Sequence, residues 1–448
     1  MNKDSNQASA QGAVEALIAS LPPESKLPSY RELQQRYRLS PATVQRTLAA
    51  LARQGLVVTR PGSGTYTAAR RRKAAPADVS WQTLALGSRA GLGPDLERLV
   101  EPPPPGVIGM ASGFLNERLQ PTGLLAAAVS RAARRPQAWN RPASQGLPEL
   151  RSHFAAEAGA PLTADDVLIV AGGQPALSAV FRHLCAPGDP LVIESPTYIG
   201  ALAAARAAGL TLVPVPTDRD GVRPAALADA LARTGARLAY VQPRYANPTG
   251  AVLAPSRRAD VLAAAASAGA FVLEDDWMRD FDLGPPSPPP LASADDDGHV
   301  IYLRSVSKPV AAGLRVAGLA ARGPVLARLR RGRLSDDLFV APVLQQTALD
   351  VLTAPGWDRH LGAVRRALRD RRDALVAAIA DRLPGHCSDD AVAAAAAARG
   401  LAVSPGRACY PGEAPGPYLR LSYAGEEIPA LARGAEILAE VLAGLPPG

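Results

Sequence analysis

A lysine that stands alone in an arginine-rich chain can do chemistry that arginine cannot. The 448 residues carry 49 Lys+Arg, and the lysines are at 3, 26, 73 and 308 only. Lys308 is therefore the one lysine in the 375 residues that follow Lys73. An amine can lose its proton and attack a carbonyl to form a Schiff base, whereas a guanidinium stays charged. The run Val300-Ile301-Tyr302-Leu303-Arg304-Ser305-Val306-Ser307-Lys308 is β-branched and apolar, ends in two hydroxyls and the amine, and is followed by Gly313-Leu314-Arg315. It reads as a buried parallel strand with its reactive groups at the carboxyl end, where open α/β sheets bind ligands.

Other residues along the chain could serve the same site. Gly172-Gly173-Gln174 lies between an apolar run at 167–171 and a helical pattern at 175–185. Free backbone N–H groups and a helix's positive end would meet there, which suits a phosphate. Glu274-Asp275-Asp276-Trp277 closes another strand with carboxylates, and Asn247-Pro248 follows a strand at 237–242, with a peptide bond that can be cis. Tyr198 follows Glu194-Ser195-Pro196-Thr197, and Arg420 is flanked by Leu419 and Leu421.

The elements that must position these groups alternate. Strands are expected at 167–171, 191–194, 211–215, 237–242, 271–274 and the run ending at Lys308, with helices at 175–185, 199–208, 224–233 and 257–268 between them. That alternation predicts a three-layer α/β/α body with a mostly parallel sheet.

The front of the chain is different. Residues 1–75 hold 12 Lys and Arg against four acids, while the remainder holds 37 of each sign, so the whole net charge of +8 sits in the first sixth. A basic module on a neutral body reads as a polyanion binder. Ser29-Tyr30-Arg31-Glu32 is a capping box, Ser40-Pro41 opens a second helix, and Gly55 closes it. Val44, Leu48 and Leu51 share one face of that helix, and Thr43, Arg46, Ala50 and Arg53 another. Two strands then flank Arg60-Pro61-Gly62-Ser63-Gly64. This is a winged helix-turn-helix with 41–54 as major-groove reader.

Residues 69–105 are rich in breakers, with Arg70-Arg71-Arg72-Lys73, one helical stretch at 95–100 and four prolines at 102–105, and read as a basic, Pro-rich linker. The expected division is 1–68 DNA-binding domain, 69–105 linker and 106–448 α/β body. No run of ~18 apolar residues predicts a membrane span. Met1–Gln11 is polar, without an apolar signal core. Cys185, Cys387 and Cys409 form neither a disulfide framework nor a metal spacing. A cytoplasmic chain without a metal is expected.

Two resemblances cover nearly the whole sequence. The stretch from Lys26-Leu27-Pro28-Ser29 through Gly64-Thr65-Tyr66 resembles a GntR-type winged helix, which implies phosphate contacts from Ser29 and Arg31, base contacts from Thr43, Gln45 and Arg46, and wing contacts from Arg60 and Gly62 on a double-stranded DNA operator. The Ser-x-Ser-Lys segment, with the motifs above, resembles the fold-type I pyridoxal-phosphate proteins of the aspartate aminotransferase family. That resemblance implies pyridoxal 5'-phosphate as cofactor, an internal aldimine at Lys308 and a phosphate held by Gly172, Gly173, Gln174, Ser305, Ser307 and Arg315. It also implies Tyr198 stacked on the pyridine ring, Asn247 at its phenolic oxygen, Asp275 at its nitrogen, and Arg420 on the carboxylate of a substrate or effector. Trp277 stands where the family has a tyrosine, Arg141 and Trp139 stand near the place of another, and the small domain is short around 383–392. The combination resembles the MocR subfamily of regulators. It implies a homodimer and a small-molecule effector, either pyridoxal phosphate itself or an amino compound, sensed at Lys308. An aminotransferase with an accessory DNA-binding domain, and a DNA-binding scaffold with a vestigial pocket, remain as alternatives.

Overall fold

The structure, a computed structural model, describes residues 3–69, 78–86, 96, 101–159, 161–379 and 388–445. The basic cluster at 70–73, the helix expected over 95–100 (apart from Leu96), Cys387 and the first half of the short stretch at 383–392 lie outside the described residues. The chain divides into two units, Met1–Arg89 and Ala90–Gly448.

In the first unit, α1 (Lys3–Ser20), α2 (Tyr30–Tyr37) and α3 (Pro41–Arg53) precede a hairpin of β1 (Val57–Arg60) and β2 (Gly64–Thr67). α1 starts ten residues earlier than the apolar pattern from Ala13 suggests. At the start of α2 the Ser29 hydroxyl accepts from the Glu32 backbone N–H, and the Glu32 carboxylate accepts from the Ser29 N–H at 2.6 Å. Ser40 caps α3 in the same way, through the Thr43 N–H at 3.2 Å. Each cap satisfies helix donors that would otherwise be orphaned and stabilises by about 1 kcal/mol. Val14, Leu27, Leu33, Val44, Leu48, Leu51 and Val57 form the core. The apolar face of α3 is thus spent on packing, and Gln45 and Arg46 remain exposed.

The second unit is built on an eight-stranded sheet: β4 (Val167–Val170), β5 (Pro190–Ser195), β6 (Thr211–Asp218), β7 (Gly221–Val222), β8 (Leu238–Val241), β9 (Phe271–Asp275), β10 (Val300–Ser305) and β11 (Ala317–Ala320), in the order β4-β11-β10-β9-β8-β5-β6-β7. The pairs β10–β9, β9–β8, β8–β5 and β5–β6 are parallel. The sequence pattern does not reveal β11, which lies antiparallel between β10 and β4 and carries the chain back from the Lys308 turn. Its Ala-Gly-Leu-Ala is too short and too small for a strand signal. Strand β10 is buried along its whole length. Apolar cores fill both faces of the sheet, which explains the near-continuous apolar runs.

A smaller subdomain is assembled from both ends of this unit. β3 (Ile108–Gly109) pairs in parallel with β12 (Leu401–Ala402), while β13 (Ser404–Pro405) pairs antiparallel with β14 (Leu419–Arg420). Helix Ile428–Gly444 packs over a core containing Met110, Leu401, Leu431 and Leu438. The segment after β3 is sewn to the same subdomain: Met110 N–H donates to Ala402 O, Ser422 N–H to Met110 O, and Asn116 N–H to Ala424 O. Among the described residues no helix is long and apolar enough to cross a membrane.

Candidate functional site

Strand ends of the large sheet and one strand of the small subdomain converge on Lys308. Its Nζ donates to the Gly113 carbonyl at 3.0 Å. It also sits 3.7 Å from the centroid of the Phe114 ring and 5.8 Å from that of Trp277. Burial, with the nearby Arg420 and Arg315 guanidiniums, pushes this amine down to about 7, against the opposing pull of Asp275. Near neutral pH a sizeable fraction is thus the unprotonated nucleophile.

Asp275 ends β9 and is buried. The Tyr240 hydroxyl donates to it at 2.7 Å and the Gln242 side-chain amide at 3.0 Å, while burial pushes its carboxyl up to about 6. The same Gln242 amide accepts from the Asn247 N–H at 3.0 Å and so ties the Asn247 loop to Asp275. The Asn247-Pro248 peptide is cis. The Asn247 side chain is left without a protein partner among the described residues. Glu194 lies close by, fully buried, and accepts from the Gln242 backbone N–H at 2.9 Å. Burial, with the nearby Asp275 carboxylate, pushes it up to about 8.

On the other side of the lysine is a small cradle. Gly172 is the N-cap of helix Gly173–Leu184, so the helix begins two residues before Pro175 and takes Gly173 and Gln174 into its first turn. A Cβ on Gly172, whose φ is +104°, would lie 2.6 Å from Arg315 Nη2, and one on Gly173 would lie 3.7 Å from Ser305 Cβ. Arg315 donates to the Ser307 hydroxyl at 3.3 Å. Ser305 Oγ accepts from the Ser307 N–H at 3.3 Å. Two glycines, a helix N-terminus, two hydroxyls and a guanidinium therefore surround one point. Gln174 gives its amide N–H to Gly200 O at 2.7 Å, but its Oε1 is buried without a hydrogen-bond partner, as is Thr197 Oγ1. Tyr198 lies against Gly200, where a Cβ would come within 2.3 Å of its ring.

Arg420 reaches in from β14 and donates to Ala111 O at 2.8 Å. A Cβ on Gly113 would be 2.9 Å from Arg420 Nη2 and 3.8 Å from Lys308 Nζ, so the guanidinium and the amine flank the same glycine. Neither Arg420 nor Arg315 has a carboxylate partner among the described residues. Two unneutralised guanidiniums beside one carboxylate leave the pocket an excess of positive charge, suited to a ligand with two anionic groups.

Trp277 belongs to the pocket wall, but its indole N–H is committed to Tyr245 O at 3.2 Å. Trp139 is 68% exposed and gives its indole N–H to Ala133 O; Arg141 is exposed as well. Sequence reasoning passed over Gly113, Phe114, Tyr240, Gln242, Glu194 and Gly200. The alternate residues Tyr240 and Gln242 on one strand end offered a faint signal, while Phe114 lies 194 residues from Lys308 in an irregular segment and offered none. The expected DNA contacts, Ser29, Arg31, Thr43, Gln45, Arg46, Arg60 and Gly62, all lie in the first unit. Arg31, Gln45, Arg46 and Gly62 are exposed; Arg60 stacks 4.6 Å over Tyr66 and lies 3.9 Å from Glu24. No group of three or more His, Cys, Asp or Glu able to hold a metal occurs among the described residues.

Comparison with known proteins gives two family matches: aminotransferase class I and II over residues 105–388, and bacterial regulatory proteins of the gntR family over residues 7–67. The chain is 30% identical to the 2-aminoadipate transaminase of Thermus thermophilus, over 76% of this chain and 91% of that protein. It is 27% identical to the probable rhizopine catabolism regulatory protein MocR of Rhizobium meliloti, over 81% of this chain and 74% of that protein. The crystal structure of LysN, an α-aminoadipate aminotransferase from Thermus thermophilus complexed with N-(5'-phosphopyridoxyl)-L-leucine, superposes with a TM-score of 0.72 at 27% identity, covering 79% of this chain and 97% of that one.

Proposed function

The chain belongs to the aminotransferase class I and II family, joined to a GntR-type regulatory module in the arrangement of the MocR subfamily, and on that premise we propose that it is a transcription regulator whose DNA affinity is set by what occupies the pocket around Lys308. The occupant is pyridoxal phosphate itself or an amino compound that meets it there. One observation carries this reading: Arg315 and Arg420, both without a carboxylate partner among the described residues, flank an amine whose proton affinity is depressed to about 7.

The family is pyridoxal-phosphate dependent, and the residues present fit that group. The cradle at Gly172 and Gly173, where a Cβ on Gly172 would meet Arg315, combines a helix N-terminus with a guanidinium, as a phosphate requires. The buried, unpartnered Gln174 Oε1 and Thr197 Oγ1 and the free Asn247 amide supply polar atoms in want of a ligand. When bound, the group supplies an aldehyde for an amine to condense with and an electron-accepting ring. In this reading Gly172, Gly173, Ser305, Ser307 and Arg315 hold the phosphate, Gln174 borders it and Tyr198 stacks on the ring. Asn247 and Asp275 bind its oxygen and nitrogen, Trp277 walls the pocket, Lys308 provides the amine, and Arg420 takes an effector carboxylate. A homodimer belongs to the same reading and is supported by the exposed Trp139 and Val129; sedimentation equilibrium at twice 46.4 kDa is expected, and a monomer mass would remove it.

Gly172→Ala tests the cradle. The new methyl would meet Arg315 in a backbone conformation that L residues rarely adopt, at about 1–3 kcal/mol. Pyridoxal phosphate affinity is expected to fall roughly tenfold or more, measured by absorbance titration. On the DNA side, Arg46→Ala is expected to weaken operator binding and relax base preference at one position by ~1–3 kcal/mol, whereas Arg31→Ala reduces the salt slope by ~1 without altering preference.

The decisive experiment selects an operator from random DNA with the full-length protein, then titrates pyridoxal phosphate and a panel of amino compounds. A change in DNA affinity of about fivefold or more supports sensing; no change with any compound sinks it. Steady turnover of an amino donor and a keto acid would instead favour an aminotransferase with an accessory DNA-binding module, a reading that the 30%-identical transaminase keeps in view. The absence of an ionisable hydroxyl at Trp277, whose N–H is already spent on Tyr245, weighs toward the regulator.

A further inference from the structure

Phe114 makes one of the closest contacts to the Lys308 amine, yet it belongs to neither the large sheet nor the phosphate cradle. Its ring centroid lies 3.7 Å from Nζ, against 5.8 Å for Trp277, and the preceding residue supplies the carbonyl that accepts from the same Nζ. Two consecutive residues therefore grip the amine, one by its ring face and one by its backbone. The charged groups that face Lys308 are Asp275 from β9, Arg315 from the turn before β11 and Arg420 from β14; the Tyr198 phenol after β5, which faces the same three groups, keeps its proton because burial pushes it up to about 12. Arg315 and Arg420 repel a protonated amine. The negative face of an aromatic ring attracts it, most strongly where water is excluded.

We infer that Phe114 is a positioning residue for Lys308: its ring face holds the amine in the protonated, hydrogen-bonded state against the Gly113 carbonyl, so that uptake of an aldehyde has to draw the amine off this contact. Phe114 is half-buried and is not among the residues of the unit's apolar cores. The segment that carries it is bonded to the small subdomain on both sides, through Met110 and Ser422 before it and Asn116 with Ala424 and Gly425 after it. Arg420, the expected carboxylate ligand, donates to Ala111 in the same segment. The grip on the amine and the grip on the carboxylate thus share one short stretch of chain. The inference rests on Lys308 as the reactive amine of the proposed function.

The chain's shortage of lysine makes a direct test possible. Trace acetylation of the full-length protein with acetic anhydride across pH 5–9, followed by peptide mapping, gives the labelling midpoint of Lys308, with the exposed Lys26 as the reference for reagent reactivity. Phe114→Leu keeps an apolar side chain and removes the ring face, Phe114→Met is a second non-aromatic variant, and Phe114→Tyr keeps the ring. The Lys308 midpoint is expected to fall by about one pH unit in the Leu and Met variants, raising its labelling at pH 6 about fivefold relative to Lys26, and to stay near wild type in the Tyr variant. An unchanged midpoint in Phe114→Leu and Phe114→Met, or a fall in Phe114→Tyr as large as theirs, overturns the inference. This readout needs no cofactor. If wild-type protein incubated with pyridoxal phosphate and reduced with borohydride carries no label on Lys308, the proposed function fails, while the midpoints still decide the role of Phe114.

Discussion

Lys308→Ala is expected to abolish covalent retention of pyridoxal phosphate completely. In the wild type, borohydride reduction should fix the label on one peptide, the one containing Lys308, because the remaining lysines, 3, 26 and 73, all lie in the first 75 residues. The pocket around Lys308 lowers that amine's proton affinity to about 7. An ordinary lysine amine is almost wholly protonated at pH 7, so the neutral nucleophile is on the order of a thousandfold scarcer. The sign of the pH dependence follows: labelling of the wild type should rise as pH is raised through about 7 and level off above it, since the unprotonated amine is the attacking form. The variant should be flat and unlabelled throughout. In the operator assay, the ratio of DNA affinities with and without pyridoxal phosphate should collapse to one. A variant that loses the label but keeps the response would leave the cofactor bound without its covalent link and show that occupancy alone is sensed. A variant that matches wild type in both would mean a vestigial pocket.

Arg304→Met is expected to cost about 3–5 kcal/mol of stability in the second unit. Arg304 is completely buried, and its side chain pairs with Glu157 at 3.1 Å and Asp280 at 2.7 Å. Its Nη1 also donates to Ser305 O at 2.6 Å. A well-packed apolar replacement would leave two carboxylates facing a void of charge, of which Glu157 retains only Arg279 at 3.7 Å and His153 at 3.9 Å. Denaturant unfolding followed by tryptophan fluorescence measures the loss. Its pH dependence has a definite sign. Without Arg304 the folded-state carboxyls are raised above their unfolded values, and such groups destabilise more as pH rises through the raised pKa. The deficit should therefore shrink as the pH is lowered from neutral toward the ordinary carboxylate range. Because the same guanidinium holds the Ser305 carbonyl, pyridoxal phosphate affinity should fall in parallel. A variant as stable as wild type at neutral pH would mean that the two acids relax to solvent, in which case the cluster does not brace the cradle.

How much of this was legible beforehand depended on how local each signal was. The caps at Ser29 and Ser40, and the strands of Asp275 and Ser305, were readable because a few adjacent residues dictate them, although the strand expected to run to Lys308 ends at Ser305, where the chain turns toward β11. β11 was not, since an Ala-Gly-Leu-Ala stretch becomes a strand only because β4 and β10 leave a slot between them. The pocket followed the same rule. Lys308, Gly172 and Arg420 announce themselves by residue type, whereas Phe114 matters only through tertiary contact. Trp277 was legible as a departure, but the carbonyl that takes its N–H, from Tyr245, could not be foreseen. The buried ion cluster behind the sheet was invisible as well, because Glu157, Asp280 and Arg304 are far apart in sequence and each resembles an ordinary surface charge.

The pairing of β3 with β12 fixes where the tether to the DNA-binding module is moored. The first regular element after the four prolines is β3, and it is stitched to the small subdomain by the ladder to β12 and by the Gly109 N–H, which donates to Glu426 at 2.7 Å. The chain therefore leaves the linker and enters the part of the body that carries Arg420, not the broad sheet that carries Lys308. For protein engineering this has a plain meaning: any cargo spliced in ahead of residue 105 is hitched to the subdomain that carries Arg420, and, on the proposed function, grafting a different reader domain there should hand the same trigger to a new set of promoters.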